Sequence, residues 1–161
     1  MTVVEYNQCV DDFSDGIYRF ILKNIKDHDM AKDVVQDTYE KMWVRVAEVS
    51  AEKARSYLFA TAYHTMIDMI RKEKRLVDFD ASRHDRQMHD QSYTGLSEIL
   101  EAAVSRLPAD QRSVIMLRDY EGYSYEDIAS ITGLSESQVK VYIFRGRMYL
   151  KNFLGSIEKV I

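Results

Sequence analysis

Ser135 to Lys151 reads SESQVKVYIFRGRMYLK. On a helical period, Val139, Ile143 and Leu150 fall on one side, while Lys140, Phe144, Arg145 and Met148 fall on another. Ser135 followed by Gln138 forms a capping box, which starts a helix here. Immediately upstream, Thr132-Gly-Leu134 makes a tight turn, and Gly133 permits a left-handed backbone. Before the turn, Ser124-Tyr-Glu-Asp127 is a second capping box, opening a short helix over Tyr125 to Ile131. Helix, glycine-containing turn and helix outline a helix-turn-helix. Ala129 is small where the helices cross, and Ile128, Leu134, Val139 and Ile143 supply a small core. The second helix then has one face for that core and another for a DNA major groove. Lys140 and Arg145 can neutralise phosphate or reach guanine edges, and Val141 and Phe144 can touch thymine methyls. Arg147 and Lys151 extend the cationic character to the helix end, where it also complements the dipole. The competing reading is an amphipathic hairpin with solvated cations, in which Phe144 packs against Tyr120 or Tyr123.

Upstream of this unit the spacing predicts a short helix over about Glu98 to Ser105. Another covers Ala109 to Tyr120, introduced by Pro108 and stopped by Gly122. Leu76 to Ser97 is polar, without sustained periodicity, and is expected to be a flexible linker. His84 and His89 lie there beside Asp85 and Asp90; a solvated tether is preferred over a metal site, because nothing orders the ligands. The chain before it predicts three helices, at roughly Val10 to Lys26, Asp29 to Glu48 and Ala51 to Lys74. Phe13, Ile17, Phe20, Ile21 and Ile25 form the apolar stripe of the first. Met30, Val34, Tyr39, Met42, Trp43 and Val46 form that of the second, and Leu58, Ala62, Met66, Met69 and Ile70 that of the third. No strand-like alternation is present. The expected fold is therefore all-α: two small helical domains, residues 1–75 and 98–161, joined by the 76–97 linker, the second domain a helix-turn-helix.

Two further surfaces stand out. In ARSYLFATAYHTMIDMIRKEKR, the aromatics Tyr57, Phe59 and Tyr63 with His64 precede Arg71, Lys72, Lys74 and Arg75. Rings beside cations are what capture of single-stranded DNA requires, although Leu58, Phe59 and Tyr63 also fit a core, leaving the basic run as a solvated helix end. On the second helix, Asp33, Gln36, Asp37 and Glu40 make one acidic and amide face, either solvated or a docking surface for a basic partner.

The 161 residues are 46% apolar and 30% charged, with a formal net charge of -4. That balance is expected of a soluble globular protein and argues against a non-specific nucleic-acid coat, while saying nothing about local patches. No run of eighteen apolar residues and no signal-peptide pattern occur, so neither membrane insertion nor export is expected, and the cytoplasm is the default location. Cys9, the only cysteine, excludes an internal disulfide and a cysteine-based zinc site. No nucleophile-base arrangement, phosphate-cradling glycine loop or metal-ligand spacing is present, so neither an enzyme nor a cofactor is expected.

Taken together and in this order, DVVQDTYEKMW, the ARSYLFATAYHTMIDMIRKEKR segment and LPADQRSVIMLRDYEGYSYEDIASITGLSESQVKVYIFRGRMYL resemble bacterial RNA polymerase sigma factors of the small extracytoplasmic-function (ECF) type. The GYSYEDIA and VKxxxFRGR elements keep that family's spacing. The resemblance implies that Asp33, Gln36 and Asp37, with Tyr39 and Glu40 adjacent, meet the clamp coiled coil of core RNA polymerase. It places Tyr57, His64, Thr65 and Asp68 near the melted minus-ten element of promoter DNA, with Arg71 and Lys72 on its backbone. Lys140, Val141, Phe144 and Arg145 would face the duplex minus-thirty-five element. An anti-sigma factor is implied as a further partner. His64 stands where many relatives carry asparagine, Tyr57 where tryptophan is common, and Val141-Tyr142 where a serine-arginine pair is frequent. The rivals are a dimeric helix-turn-helix regulator with a helical sensor domain, and a protein-binding helical adaptor.

Overall fold

The computed structural model describes residues 1–79 and 95–158. The expected linker falls mostly outside them, and His84, His89, Asp85 and Asp90 lie outside the described residues. Among the described residues the fold is all-α. Helix α1 spans Val3–Ile25, α2 His28–Val44 and α3 Ala54–Phe79; a short tight turn of helix, Ala51–Lys53, leads into α3. The second half holds α4 (Leu96–Ser105), α5 (Ala109–Ile115), a π-helical turn (Met116–Tyr120), α6 (Tyr125–Thr132) and α7 (Glu136–Glu158).

Local chemistry sets these boundaries. Helix α1 begins seven residues before the expected Val10, because Thr2 and Glu5 form a reciprocal capping box. Glu5 N donates to Thr2 Oγ1 and Thr2 N to Glu5 Oε1, both at 3.1 Å. Lys26 ends the helix in a left-handed conformation, φ 55°, its N–H returning to Leu22 O. Asp27 Oδ1 then accepts from the N–H groups of Asp29 and Met30 at 3.0 and 3.1 Å, which starts α2. Helix α2 stops at Val44 rather than near Glu48. Trp43 is accordingly not inward as its stripe predicts: it lies 48% exposed, edge-on to Tyr6 with ring centroids 5.0 Å apart. Helix α3 outruns its expected end and reaches Phe79.

Phe20 and Ile21 of α1, Val34 and Met42 of α2, and Leu58, Phe59 and Met66 of α3 are all buried in the first half. In the second, Val114, Ile115, Leu117, Ile128, Ile131, Val139 and Ile143 are. Each such side chain contributes about 1.5–3 kcal/mol of burial. The halves do not stand apart: these residues belong to one continuous apolar cluster.

The π-helical turn places five residues where α5 meets the seam between the halves. Glu121 N bonds to Met116 O, five residues back, at 3.1 Å. Gly122, at φ 75°, ends the element, because an L-residue there would be strained. The four consecutive side chains 118–121 then leave in different directions. Asp119 turns toward α7, and Tyr120 and Glu121 toward the first half. Arg118 Nη1 donates to Tyr123 O at 2.8 Å, its guanidinium lying over the Tyr125 ring.

Candidate nucleic-acid and partner-binding surfaces

The α6–turn–α7 unit is built from the caps its sequence carries. Ser124 Oγ accepts from Asp127 N at 3.1 Å. Gly133 takes φ 80° and returns its N–H to Ala129 O. Ser135 and Gln138 exchange two bonds: Ser135 N to Gln138 Oε1 at 3.0 Å, and Gln138 N to Ser135 Oγ at 3.1 Å. Each capped end satisfies donors that would otherwise be orphaned, an effect of about 1 kcal/mol. These bonds fix the rotation of α7. Val139, Ile143 and Gly146 face inward, and Lys140, Val141, Phe144, Arg145 and Met148 face solvent. Phe144 is 66% exposed, so it packs against neither Tyr120 nor Tyr123 as a core residue. Neither Lys140 nor Arg145 forms an ion pair among the described residues. Arg147 is engaged differently: Nη2 and Nε donate to the Asp119 carboxylate at 2.6 and 3.4 Å. Those hydrogen bonds raise its pKa further above the usual guanidinium value. Arg147 therefore ties α7 to the π-helical turn.

On α3, His64, Asp68, Arg71 and Lys72 are exposed. Their spacing of four, three and one places them along one face. Tyr57 is half-buried at the rim of the core. Thr65 differs from its expected place at a DNA surface: it is 3% exposed, and its hydroxyl accepts from Lys41 Nζ at 2.9 Å. Its position, three residues after the buried Ala62, turns it toward α2. Phe59 and Tyr63 are buried as well, so the core alternative holds for those two rings. Burial pushes the Tyr63 phenol up.

On α2, Asp33, Gln36 and Glu40 are exposed and Asp37 is half-buried. Gln36 Nε2 donates to Glu40 Oε1 at 3.3 Å, and Asp37 pairs with Lys41 at 3.2 Å. Tyr39 does not join this face. It is buried, donates its hydroxyl to Cys9 O at 3.0 Å, and has its pKa pushed up to about 12 by burial. Tyr39 holds α2 against α1 and so supports the acidic face from behind. Lys41 was not singled out in the sequence, although its position four residues after Asp37 signals a helical pair. Its ammonium spans α2 and α3, touching both Asp37 and Thr65.

No described helix is long and apolar enough to cross a membrane. No group of three or more His, Cys, Asp or Glu among the described residues is placed to hold a metal ion.

Comparison with known proteins gives this arrangement its family. Residues 9–76 match Sigma-70 region 2, and residues 97–150 match Sigma-70, region 4. The RNA polymerase sigma factor YlaC of Bacillus subtilis is 30% identical over 144 residues, covering 84% of this chain and 83% of YlaC. The chain belongs to the ECF RNA polymerase sigma factors. The ECF RNA polymerase sigma factor SigM of Bacillus subtilis is 28% identical over 156 residues, 94% of each chain. Among solved structures, the sigma factor RpoE of Bartonella quintana, in complex with the anti-sigma factor NepR, superimposes with a TM-score of 0.80. It is 29% identical and covers 95% of this sigma factor and 98% of its own chain. Region 2 thus takes in most of α1, all of α2 and most of α3, with the acidic face and the His64 face. Region 4 takes in the helix-turn-helix.

Proposed function

We propose that this sigma factor directs core RNA polymerase to promoters through three surfaces. The first is the acidic face of α2, with Asp33, Gln36, Asp37 and Glu40, which docks on a basic element of core polymerase. Complementary charge there sets orientation and on-rate more than affinity. The second is the face of α3 carrying His64, Asp68, Arg71 and Lys72, with Tyr57 at its edge, which holds the melted minus-ten strand. Cations there follow the backbone and the rings receive unstacked bases. The third is the outward face of α7, where Lys140, Val141, Phe144 and Arg145 read the minus-thirty-five duplex. Residues 1–75 form the polymerase and minus-ten unit, 98–161 the minus-thirty-five unit, and 76–97 the tether between them.

One observation carries the assignment of α7. Its inward face is a satisfied apolar core, yet its outward face keeps two unpaired cations beside a 66% exposed phenylalanine. A helix made only for packing does not hold an aromatic ring in water between cations, whereas a groove-reading helix needs both contact types. The protein acts by binding, with no reaction of its own, and works in the cytoplasm where the polymerase is. By analogy with the RpoE–NepR complex, an anti-sigma factor is its regulatory partner. The deciding experiment adds the purified chain to bare core polymerase on promoter-bearing DNA. Specific initiation that disappears without the chain supports the reading. Dimeric operator binding that needs no polymerase replaces it.

A further inference from the structure

The outward face of α7 continues one turn past Phe144 and Arg145. Val141 and Phe144 are 43% and 66% exposed, and Met148, the next residue along the same line, is 43% exposed. None of the three joins the apolar cluster that fills the rest of the fold. At about 100° per residue they fall within a sector of about 60°, so they form one continuous apolar stripe along the helix. Lys140 and Lys151 line one edge of the stripe and Arg145 the other, and all three are exposed. Neighbouring contacts hold residue 148 at this azimuth. Arg147 is tied to Asp119 at 2.6 Å, and Tyr149 stacks on Phe153 with ring centroids 6.4 Å apart. The Arg106 guanidinium in turn lies 5.0 Å from the Phe153 centroid.

We infer that Met148 is a further base-reading residue, and that the stripe it completes lies on a row of thymine methyl groups in the minus-thirty-five duplex. This deepens the reading of α7 given above and rests on it. The thymine C5-methyl is the apolar group that base pairs present in the major groove. A homeodomain's third helix reads that groove with residues spaced zero, three, four and seven along the chain. Val141, Phe144, Arg145 and Met148 have the same spacing. From Val141 to Met148 the helix rises about 10 Å, and three base-pair steps of about 3.4 Å cover the same distance. The stripe therefore matches methyl groups on three or four neighbouring base pairs, while the cations on its two edges face the phosphates of the groove walls.

Charge decides for DNA as the occupant. In a chain of net charge -4, the stretch from Ser137 to Ile157 holds Lys140, Arg145, Arg147 and Lys151 and not one Asp or Glu. The stripe thus sits in a locally acid-free, cationic surface, which suits a polyanion with an apolar floor. Methionine fits that floor because its unbranched, polarisable thioether follows an irregular row of methyls and asks for no hydrogen bond. Cytosine in place of a thymine would remove the methyl and set an N4 amino donor against carbon. That donor would lose its water without gaining an acceptor, so Met148 discriminates thymine from cytosine at its position.

The test uses the full chain assembled with core polymerase. Promoters randomised at the minus-thirty-five element are enriched by binding. The preferred duplex is then rebuilt with deoxyuridine replacing one thymine at a time, which removes the methyl and leaves base pairing intact. Expected for the parent is a row of neighbouring positions at which each lost methyl weakens binding about threefold to fivefold, the factor that one buried methyl group contributes. Met148→Ala loses this response at one end of the row and keeps it elsewhere, with an unchanged Tm because the side chain faces outward. Met148→Leu, close in volume, retains the response throughout. A parent indifferent to every uracil, or a Met148→Ala protein that still responds at every position, overturns methyl reading and leaves the sigma-factor reading intact. A Met148→Ala loss equal on all sequences also overturns it and assigns the stripe to a partner protein. A parent that forms no promoter-specific complex removes both readings.

Discussion

Gly146→Ala tests the packing that aims α7. Gly146 is where α7 crosses α5, and a Cβ built on it would fall 2.8 Å from Ile115 Cγ1 and 3.2 Å from Cδ1. Ile115 is 1% exposed, and Cγ1 is one bond from its own Cβ, so it cannot swing away as a flexible terminus would. Two effects oppose each other. Alanine gains about 1 kcal/mol over glycine in a helix interior, while an overpacked methyl in a close-packed core costs about 1–3 kcal/mol. With a contact this short the upper part of that cost applies and the clash wins, leaving a net loss of about 1–2 kcal/mol. A protein of this size loses about 2–4 °C of Tm per kcal/mol, so the Tm followed by circular dichroism should drop by roughly 2–8 °C. Shifting α7 should also weaken binding to minus-thirty-five duplex, although residue 146 itself faces inward. Adding Ile115→Ala should make the two changes less than additive, since the new methyl enters the space vacated, with a coupling of about 0.5–3 kcal/mol. A Gly146→Ala protein with a higher Tm and unchanged DNA affinity would refute the reasoning, because helix propensity would then outweigh the crossing.

Arg145→Ala should cost about 1–3 kcal/mol in duplex binding measured by fluorescence anisotropy and relax sequence preference, while Lys140→Ala should weaken all sequences alike and reduce the log–log salt slope by about 1. Equal effects of both variants on every sequence would remove the base-reading role of Arg145. Asp37→Lys should cut core-polymerase capture while shifting stability little, since its partly exposed pair with Lys41 is worth at most about 0.5 kcal/mol; undiminished capture would remove the docking assignment. At high pH, Tyr39 sets a direction: its folded pKa of about 12 lies above the ordinary 10. The unfolded chain therefore loses that proton first. The contribution is complete below pH 10 and disappears as pH climbs from 10 to 12, on the order of 1 kcal/mol per pH unit. Alkaline denaturation of Tyr39→Phe should show a shallower loss over that interval, and an identical profile would count against the assignment.

The helix-turn-helix is legible in the sequence because each determinant is local. Ser124, Gly133, Ser135 and Gln138 act within a few residues of themselves, and the alternation of Val139 and Ile143 with Lys140 and Phe144 follows one helical period. The exposed His64, Asp68, Arg71 and Lys72 are legible for the same reason. Thr65 and Tyr39 are expected at the surface from the family resemblance, but a shared motif position does not fix helix rotation, and both lie on the packed side of their helices. Trp43 errs the other way: its stripe looks inward, but α2 ends one residue later and leaves the ring beside Tyr6. The early start of α1 is legible in Thr2 and Glu5, a capping box that lies upstream of the apolar stripe. The seam has no such local sign. Glu121 meets Arg19 and Arg55 across 102 and 66 residues of chain, between polar side chains that produce no periodicity.

Because an α-helix advances by about 100° per residue, the π-helical turn acts as an angular spacer. Its one extra residue sets the azimuth of everything between Met116 and Gly122, sending Asp119 to α7 while Glu121 points at the opposite half. Deleting one residue of Met116–Tyr120 would close an ordinary helical turn there and re-aim the remaining side chains of the segment by up to about a third of a revolution. The Asp119–Arg147 tie to α7 and the Glu121 pairs with Arg19 and Arg55 would then be disturbed in the same stroke. Length across these five positions therefore matters to both contacts at once.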